Sequence, residues 1–442
     1  MTSTEAPGAL PKQASHLPPT FRALRHRNYR LWFVGQGVSL VGTWMQTMAQ
    51  QVLVYRLTGS ATALGIISAI GLIPLVPLAL WGGSIADRAP KRTIIIAAQV
   101  VMMIQAFILA ALAWTGAVQV WHVYVLALVL AAAQAVDLPA RQAFTVELVE
   151  GKEDLTNAIG LNSAMFNGAR ALGPALAGTL VAAVGEGPAF LLNALSFVAV
   201  IISLLLMRNL PAPAGVRRNA TLTGHMAEGL RFIVHQRTIL VLISLVAVSA
   251  FLSMPYSTLM PVFAGEVLQT SSQPVVSLLC EGAHPFMRCR APQALPLGLL
   301  LTTVGVGALV GALAVASLPD RARRGRWLTA GNLAFPLLLL CFAASRSFVV
   351  SLALLFGVGV SFVMQNALAN TLLQIITPDA VRGRVMSIYT LTFQGAMRLG
   401  GLQAGLVADA IGAALAVGVG AFFSLAYGVF VAFKFPRVRE MR

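Results

Sequence analysis

Charge is what this sequence has least of: of 442 residues only 10% are Asp, Glu, Lys or Arg, and just 15 are acidic. An ordinary soluble domain carries about 25%, so a chain this poor in charge cannot clothe a water-facing surface, and a soluble globular protein is excluded. Cysteine is nearly absent too. Cys280, Cys289 and Cys341 are too few for a disulfide scaffold, and no Cys/His cluster has metal-ligand spacing, so no metal site is expected. A phosphate-cradling G-x-x-x-x-G-K-[ST] loop is missing, which excludes a nucleotide-driven pump. Within the apolar runs no nucleophile meets a base and no carboxylates pair, which argues against an enzyme. Residues 1–30 are polar, basic and proline-containing, with no apolar core before residue 31, so no cleavable signal peptide is expected.

What is there is apolar: 57% of the residues are hydrophobic. A membrane-spanning helix needs about 20 such residues, and twelve runs of that kind fill the chain, at approximately 29–55, 61–84, 93–114, 121–140, 157–184, 188–207, 238–263, 296–318, 327–344, 348–370, 385–410 and 413–433. The expected fold class is an all-α membrane protein of twelve transmembrane helices in two six-helix bundles. Residues 1–28 form a cytoplasmic N-terminal segment, 29–207 the first bundle, 208–237 a linker, 238–433 the second bundle and 434–442 a cytoplasmic tail.

The formal charge of +16 does not point to nucleic acid, because the basic residues lie in short loops between apolar runs. They report orientation instead, since Lys and Arg are retained on the cytoplasmic side. With the N-terminus inside, the outer loops hold only Arg56, Arg288, Arg290 and Arg346, and Arg170 and Arg398 alone lie deep within spans, Arg30 standing at the inner edge of the first. Both termini are therefore expected in the cytoplasm.

The halves repeat. One constant shift lays Phe166 on Phe393, Gly168 on Gly395, Gly173 on Gly400, Ala177 on Ala404, Gly178 on Gly405 and Gly185 on Gly412. A second lays Asp87-Arg88-Ala89 on Asp320-Arg321-Ala322. Duplication of six spans suits a two-bundle transporter with its path between the halves. One segment breaks the repeat: residues 264–295 form an atypical outer loop carrying roughly two dozen extra residues, long for a structureless connection. Two readings stand, a substrate cap closed by a Cys280–Cys289 disulfide, or an unselected insertion or frame-shifted segment, with the second favoured. The linker begins Pro211-Ala212-Pro213 and continues as the amphipathic AEGLRFIVHQR, which suits the inner membrane surface.

Between spans 2 and 3 the chain reads GSIADRAPKR, Gly83 to Arg92. Gly83 permits close helix approach, Asp87 suits the positive end of a neighbouring helix, and Arg88, Lys91 and Arg92 stay at the inner surface. This pattern resembles the signature loop of the major facilitator superfamily. With FRALRHRNYRLWFVGQGVSLVGTWMQ, PARQAFTVELV, LTNAIGLNSAMFNGARALGPALAG and PDAVRGRVMSIY, the chain resembles the branch of enterobactin exporters and macrolide-efflux or secretion-effector permeases. The resemblance implies that Asp87 holds a gate against Val381 to Arg384, with Asp320 and Arg321 as the second copy. Pro90 stands where the family usually has Gly. The span 5 exporter pattern G-x-x-x-G-P-x-x-G-G is matched at Gly173, Pro174 and Gly178, with Ala169 and Ala177 at two glycine positions.

Ionisable groups inside spans are functional candidates. Arg170 and Arg398 have no evident acid at their depth, which suits an anionic or catechol-like substrate or, equally, arginines satisfied by carbonyls and water. Gln46 and Gln50, then Gln365, Asn366 and Asn370, lie on spans that line the cavity in the superfamily; each turn-spaced pair shares a face, for substrate or as interhelical glue. Proton coupling needs a carboxylate, for which Asp137 and then Asp409 are the candidates; partnership with Arg141 is the alternative for Asp137. The expected activity is proton-coupled export of a siderophore-like or drug-like molecule, without cofactor, by a monomer in the bacterial inner membrane. An importer, a transport-inactive sensor and a membrane-embedded enzyme are the alternatives.

Overall fold

The computed structural model describes residues 19–75, 77, 90–149, 151–208, 210, 222–280, 289–319 and 322–441, and these are helical nearly throughout. A turn of 3-10 helix, Pro19–Arg25, leads into α1 (Arg27–Thr58), α2 (Ala61–Ile70), α3 (Lys91–Thr115), α4 (Val120–Glu147), α5 (Lys152–Val184) and α6 (Glu186–Leu205). A linker helix, α7 (Leu222–His235), precedes α8 (Arg237–Val267), α9 (Gln269–Cys280), α10 (Ala294–Ala316), α11 (Arg324–Ala344), α12 (Phe348–Ile376), α13 (Asp379–Ile411), α14 (Ala413–Lys434) and the short α15 (Pro436–Glu440). Among the described residues eight helices are long and apolar enough to cross a bilayer. Helices are what hydrocarbon demands, because they satisfy their own backbone.

Turn chemistry marks the repeat. Gly185 closes α5 and Gly412 closes α13, each with φ of 90°, a left-handed conformation open mainly to glycine. At the α1–α2 turn Gly59, φ 61°, donates its N–H to the Tyr55 carbonyl at 2.7 Å, and Ser60 caps α2 by accepting from Ala63 N at 3.3 Å. The halves differ at their first spans: α1 is one regular helix, whereas α8 contains two π-turns, Ser249–Ser253 and Phe263–Val267. Pro255 and Pro261 lie beside these turns; each lacks an N–H for the helix ladder.

We call the end where α1 begins the near end and the end where it finishes the far end. At the far end the bundles meet along two seams, α2 against α13 and α5 against α10. The approach is backbone to backbone: a Cβ on Gly65 would lie 2.8 Å from the Gly401 carbonyl, and one on Gly298 would lie 2.7 Å from the Gly178 Cα. At the near end Gly160 and Gly168 of α5 and Gly383 and Gly395 of α13 face open space, with no atom within 4 Å of a Cβ. Among the described residues the bundles thus meet backbone to backbone at the far end, while these near-end glycines of α5 and α13 have no neighbour.

The described residues of the extra segment in the second half, 264–280 and 289–295, are folded. α9 buries Ser272 and Val276, Cys280 and Cys289 form a disulfide, and the following amides of Arg290 and Ala291 both donate to the Ala182 carbonyl of α5, at 2.7 and 3.1 Å. Ala182 lies in the last turn of α5, whose carbonyls lack partners within their own helix, so the strap completes it from the opposite bundle.

At the near end the N-terminal turn is stapled to α5. Asp154, 1% exposed, accepts from Arg22 Nε at 2.6 Å, Arg25 Nη2 at 2.6 Å and His26 Nε2 at 2.7 Å. Burial alone would raise this carboxyl, but the hydrogen bonds from Arg22, His26 and Arg25 outweigh it and hold it at about 2. The linker helix α7 leans on α13 through Arg384 Nη1 to Glu228 Oε1, 2.5 Å, with Gly229 against Ile388.

Candidate functional site

Between the seams Arg170 crosses from one bundle to the other. α5 projects it from the first bundle so that its guanidinium carbon lies 5.8 Å from the Trp44 ring centre of α1 and 5.3 Å from that of Phe362 on α12. The aromatic surface extends on both sides: Trp44 meets Phe166 edge-on at 5.8 Å, and Phe362 continues through Phe335, 5.7 Å, to Tyr256, 6.2 Å from Phe335. Phe166 is 47% exposed in mid-helix. Cation–π attraction holds such a guanidinium without neutralising it. Among the described residues no carboxylate lies within ion-pair distance of Arg170 or of Arg398.

Arg398 crosses the other way. From α13 of the second bundle its guanidinium lies on Gly71 at the end of α2, so closely that a Cβ there would overlap it. Its Nε is buried and without a hydrogen-bond partner. One turn on, a Cβ at Gly401 would lie 2.5 Å from Ser68 Oγ and 3.2 Å from Thr258 Oγ1, so hydroxyls of both bundles flank the same face. The two arginines are near repeat equivalents, and each reaches from its own bundle into the other.

The amides divide. Gln46 is 1% exposed and faces the interior of the first bundle, donating to Gln105 Oε1 at 3.1 Å and accepting from Asn193 Nδ2 at 2.6 Å. Gln50 is buried on the same side. In the second bundle Gln365 accepts from Ser249 Oγ at 3.2 Å, Asn366 from Tyr389 Oη at 3.2 Å, and Asn370 from Gln374 at 2.5 Å. Asn366 and Asn370 are half-buried.

Asp137 is buried and paired with Arg141 one turn along α4. Arg141 also donates to Gln36 Oε1 on α1 at 2.5 Å, and Gln99 on α3 reaches Asp137 at 3.4 Å. Arg141 Nε, Gln36 Nε2 and Gln99 Oε1 remain buried without partners, so the network has spare valences. Asp409 lies elsewhere, at the far end, where it accepts from Ser60 Oγ at 2.6 Å, Ala61 N at 2.8 Å and Thr62 N at 2.9 Å.

Of the loop residues, Lys91 pairs with Glu147 and Arg92 donates to the Leu205 carbonyl at 3.2 Å, tying the start of α3 to the ends of α4 and α6. Gly83, Asp87, Arg88, Asp320 and Arg321 lie outside the described residues. In span 5, Gly173 lets α1 approach at Trp44 and Val41, while Pro174 and Gly178 back the α5–α10 seam at Gly298. The residues that sequence reasoning missed are Trp44, Phe166, Phe362 and Tyr256; their only signal was an aromatic at mid-depth.

The family model described as a transmembrane secretion effector matches residues 19–442. The chain is 27% identical over 420 residues to the multidrug efflux pump Tap of Mycobacterium tuberculosis, covering 92% of this chain and 91% of the relative. It is 26% identical over 247 residues to the staphyloferrin A transporter of Staphylococcus aureus, covering 55% and 61%. Among solved structures it resembles the nucleoside transporter NupG, with a TM-score of 0.66 at 14% identity over 95% of this chain and 100% of that one. A bacterial Spinster homologue in an inward-facing conformation gives a TM-score of 0.60 at 14% identity, over 96% of both chains.

Proposed function

The chain belongs to the transmembrane secretion effector family of major facilitator transporters, and from that premise we propose that it exports an amphipathic, siderophore-like or drug-like molecule in exchange for protons. It is a multi-pass membrane transporter of small molecules, and not an enzyme. The observation that carries the finer reading is the guanidinium of Arg170, free of carboxylates and set in aromatic rings from both bundles, because a planar, partly charged molecule stacks on such rings and meets a cation at their centre.

The near end faces the cytoplasm of a bacterial cell, in the inner membrane, with both termini on that side. Support comes from the crowding of Lys and Arg there. Substrate enters from the near end, the bundles rock about the midplane, and it leaves at the far end. The monomer suffices, and the proton gradient replaces any cofactor. Asp137 is the carboxylate best placed to carry the proton: it is buried, and its Arg141, Gln36 and Gln99 neighbours retain unused hydrogen-bonding atoms where water can enter. Asp87 latches the near end when that end closes.

Proteoliposomes with an imposed pH gradient test this. Proton-driven efflux of drug-like or catechol-like probes, lost in Asp137→Asn, is expected. Flux in the opposite direction would make the protein an importer, and flux that ignores the gradient would remove the coupling.

A further inference from the structure

Asp409 stands in the last turn of α13, where a negative charge opposes the helix's own dipole and costs its helix stability. No basic residue shares that turn. The carboxylate makes sense only with respect to the helix beside it. α2 runs antiparallel to α13 and begins at the same end, and its first turn presents N–H groups that no carbonyl of its own can satisfy. Asp409 Oδ1 takes the Ala61 N–H at 2.8 Å; Oδ2 takes the Thr62 N–H at 2.9 Å and the Ser60 hydroxyl at 2.6 Å. Ser60 already caps α2 at Ala63 N, so this carboxylate is a second cap, supplied by the opposite bundle. Just inward, Gly405 presses on the Ala61 carbonyl, where a Cβ would have only 2.5 Å, and Gly65 presses on the Gly401 carbonyl. The three bonds therefore form only when the two helices are in backbone contact.

We propose that Asp409 is a positioning residue of the transport cycle, a far-end latch: it closes the far side by capping α2 across the bundle interface, and it lets go each time that side opens. The proposal rests on the reading of the chain as a transporter whose bundles rock. The bonds are bonds to an ionised group, the strong kind, yet once the helices part both partners are at the membrane surface, where water replaces them. The latch thus biases the equilibrium without making the open state inaccessible.

Spin-label distances test it without any substrate. In a Cys341→Ser background, with Cys280 and Cys289 oxidised, one label pair at Thr115 and Arg346 spans the far end, and a second at Val146 and Ala380 spans the near end. Asp409→Ala should lengthen the far distance and shorten the near one, raising the ratio of far-open to far-closed protein about tenfold or more. Asp409→Asn, which keeps one acceptor oxygen and loses the charge, should fall between Asp409→Ala and the wild type. Unchanged distances in Asp409→Ala overturn the latch. So does lengthening at both ends, which would mean a loosened fold. A wild-type protein that shows these shifts on mutation but no efflux would refute the exporter reading and leave the latch in place.

Discussion

The two ends of the interface use the same helices in opposite ways. At the far end glycines of α2, α5, α10 and α13 bring backbones together, and the contact is completed by groups that cross from one bundle to the other: Asp409 on the first turn of α2, the Arg290 and Ala291 amides on the last turn of α5. At the near end the glycines are there but touch nothing. Gly168 and Gly395 are repeat equivalents on α5 and α13, and both face open space. A glycine costs helix stability relative to alanine, so a glycine with no neighbour has no function in this arrangement. If the bundles rock as proposed, the near-end glycines would serve a second arrangement, one in which the near end closes as tightly as the far end is closed here.

Breaking the closed end should have the largest effect. Gly298→Val places side-chain carbons against the Gly178 backbone and the Pro174 carbonyl, an overpacking that costs about 1–3 kcal/mol and holds the seam apart. Transport is expected to vanish while the protein still inserts, as read by proteoliposome flux beside membrane yield; normal flux would mean that the seam is not a gate. Next in size is the near end. Gly168→Leu or Gly395→Leu should leave thermal stability within about 0.5 kcal/mol, because nothing is displaced, yet reduce flux at least about tenfold by blocking closure. A drop in stability with intact flux would show that the near end never closes at these positions.

Smaller effects sharpen the same contrast. Arg398→Gln should cut efflux of anionic probes about tenfold, the worth of one hydrogen bond to a charged group, and leave neutral probes alone; equal efflux of both would remove Arg398 from substrate binding. The smallest effect concerns the staple at Asp154. A carboxyl lowered from an ordinary value near 4 to about 2 contributes stability that is complete above pH 4 and is lost as the pH falls toward 2. Protease cleavage of the N-terminal segment should therefore be constant from pH 8 to pH 5 in the wild type and faster at pH 7 in Asp154→Asn. Pronounced cleavage on going from pH 8 to pH 5 would place the staple's control in another group.

The fold class was legible because lipid imposes it. Runs of about 20 apolar residues are local signals, and some helices begin and end within a few residues of them, α1 at Arg27–Thr58 and α14 at Ala413–Lys434, while α4, α12 and α13 extend farther at the near end, to Glu147, to Ile376 and from Asp379. The repeat was legible through Gly185 and Gly412, whose shared left-handed backbone lets only glycine serve well. The site was less so. A sequence places Gln46 and Gln50 on one face of α1 but does not say that α3 and α6 cover that face. It shows Arg170 without an acid, but the rings around it come from Trp44 and Phe362, far apart along the chain. Asp409 reads as a proton-coupling candidate late in its span, because its partners at Ser60, Ala61 and Thr62 belong to the other half of the molecule.

The strap at the far end has a further consequence. A disulfide endures where the cell's reducing buffers do not reach, so Cys280–Cys289 works as a compass needle. Oxidised in the cell, it would place the far end away from the reducing interior through redox chemistry alone, without reference to where the arginines lie. In a chain inserted upside down this pair would be kept as thiols, and the amides of Arg290 and Ala291 would lose the covalent ring that steadies them against α5.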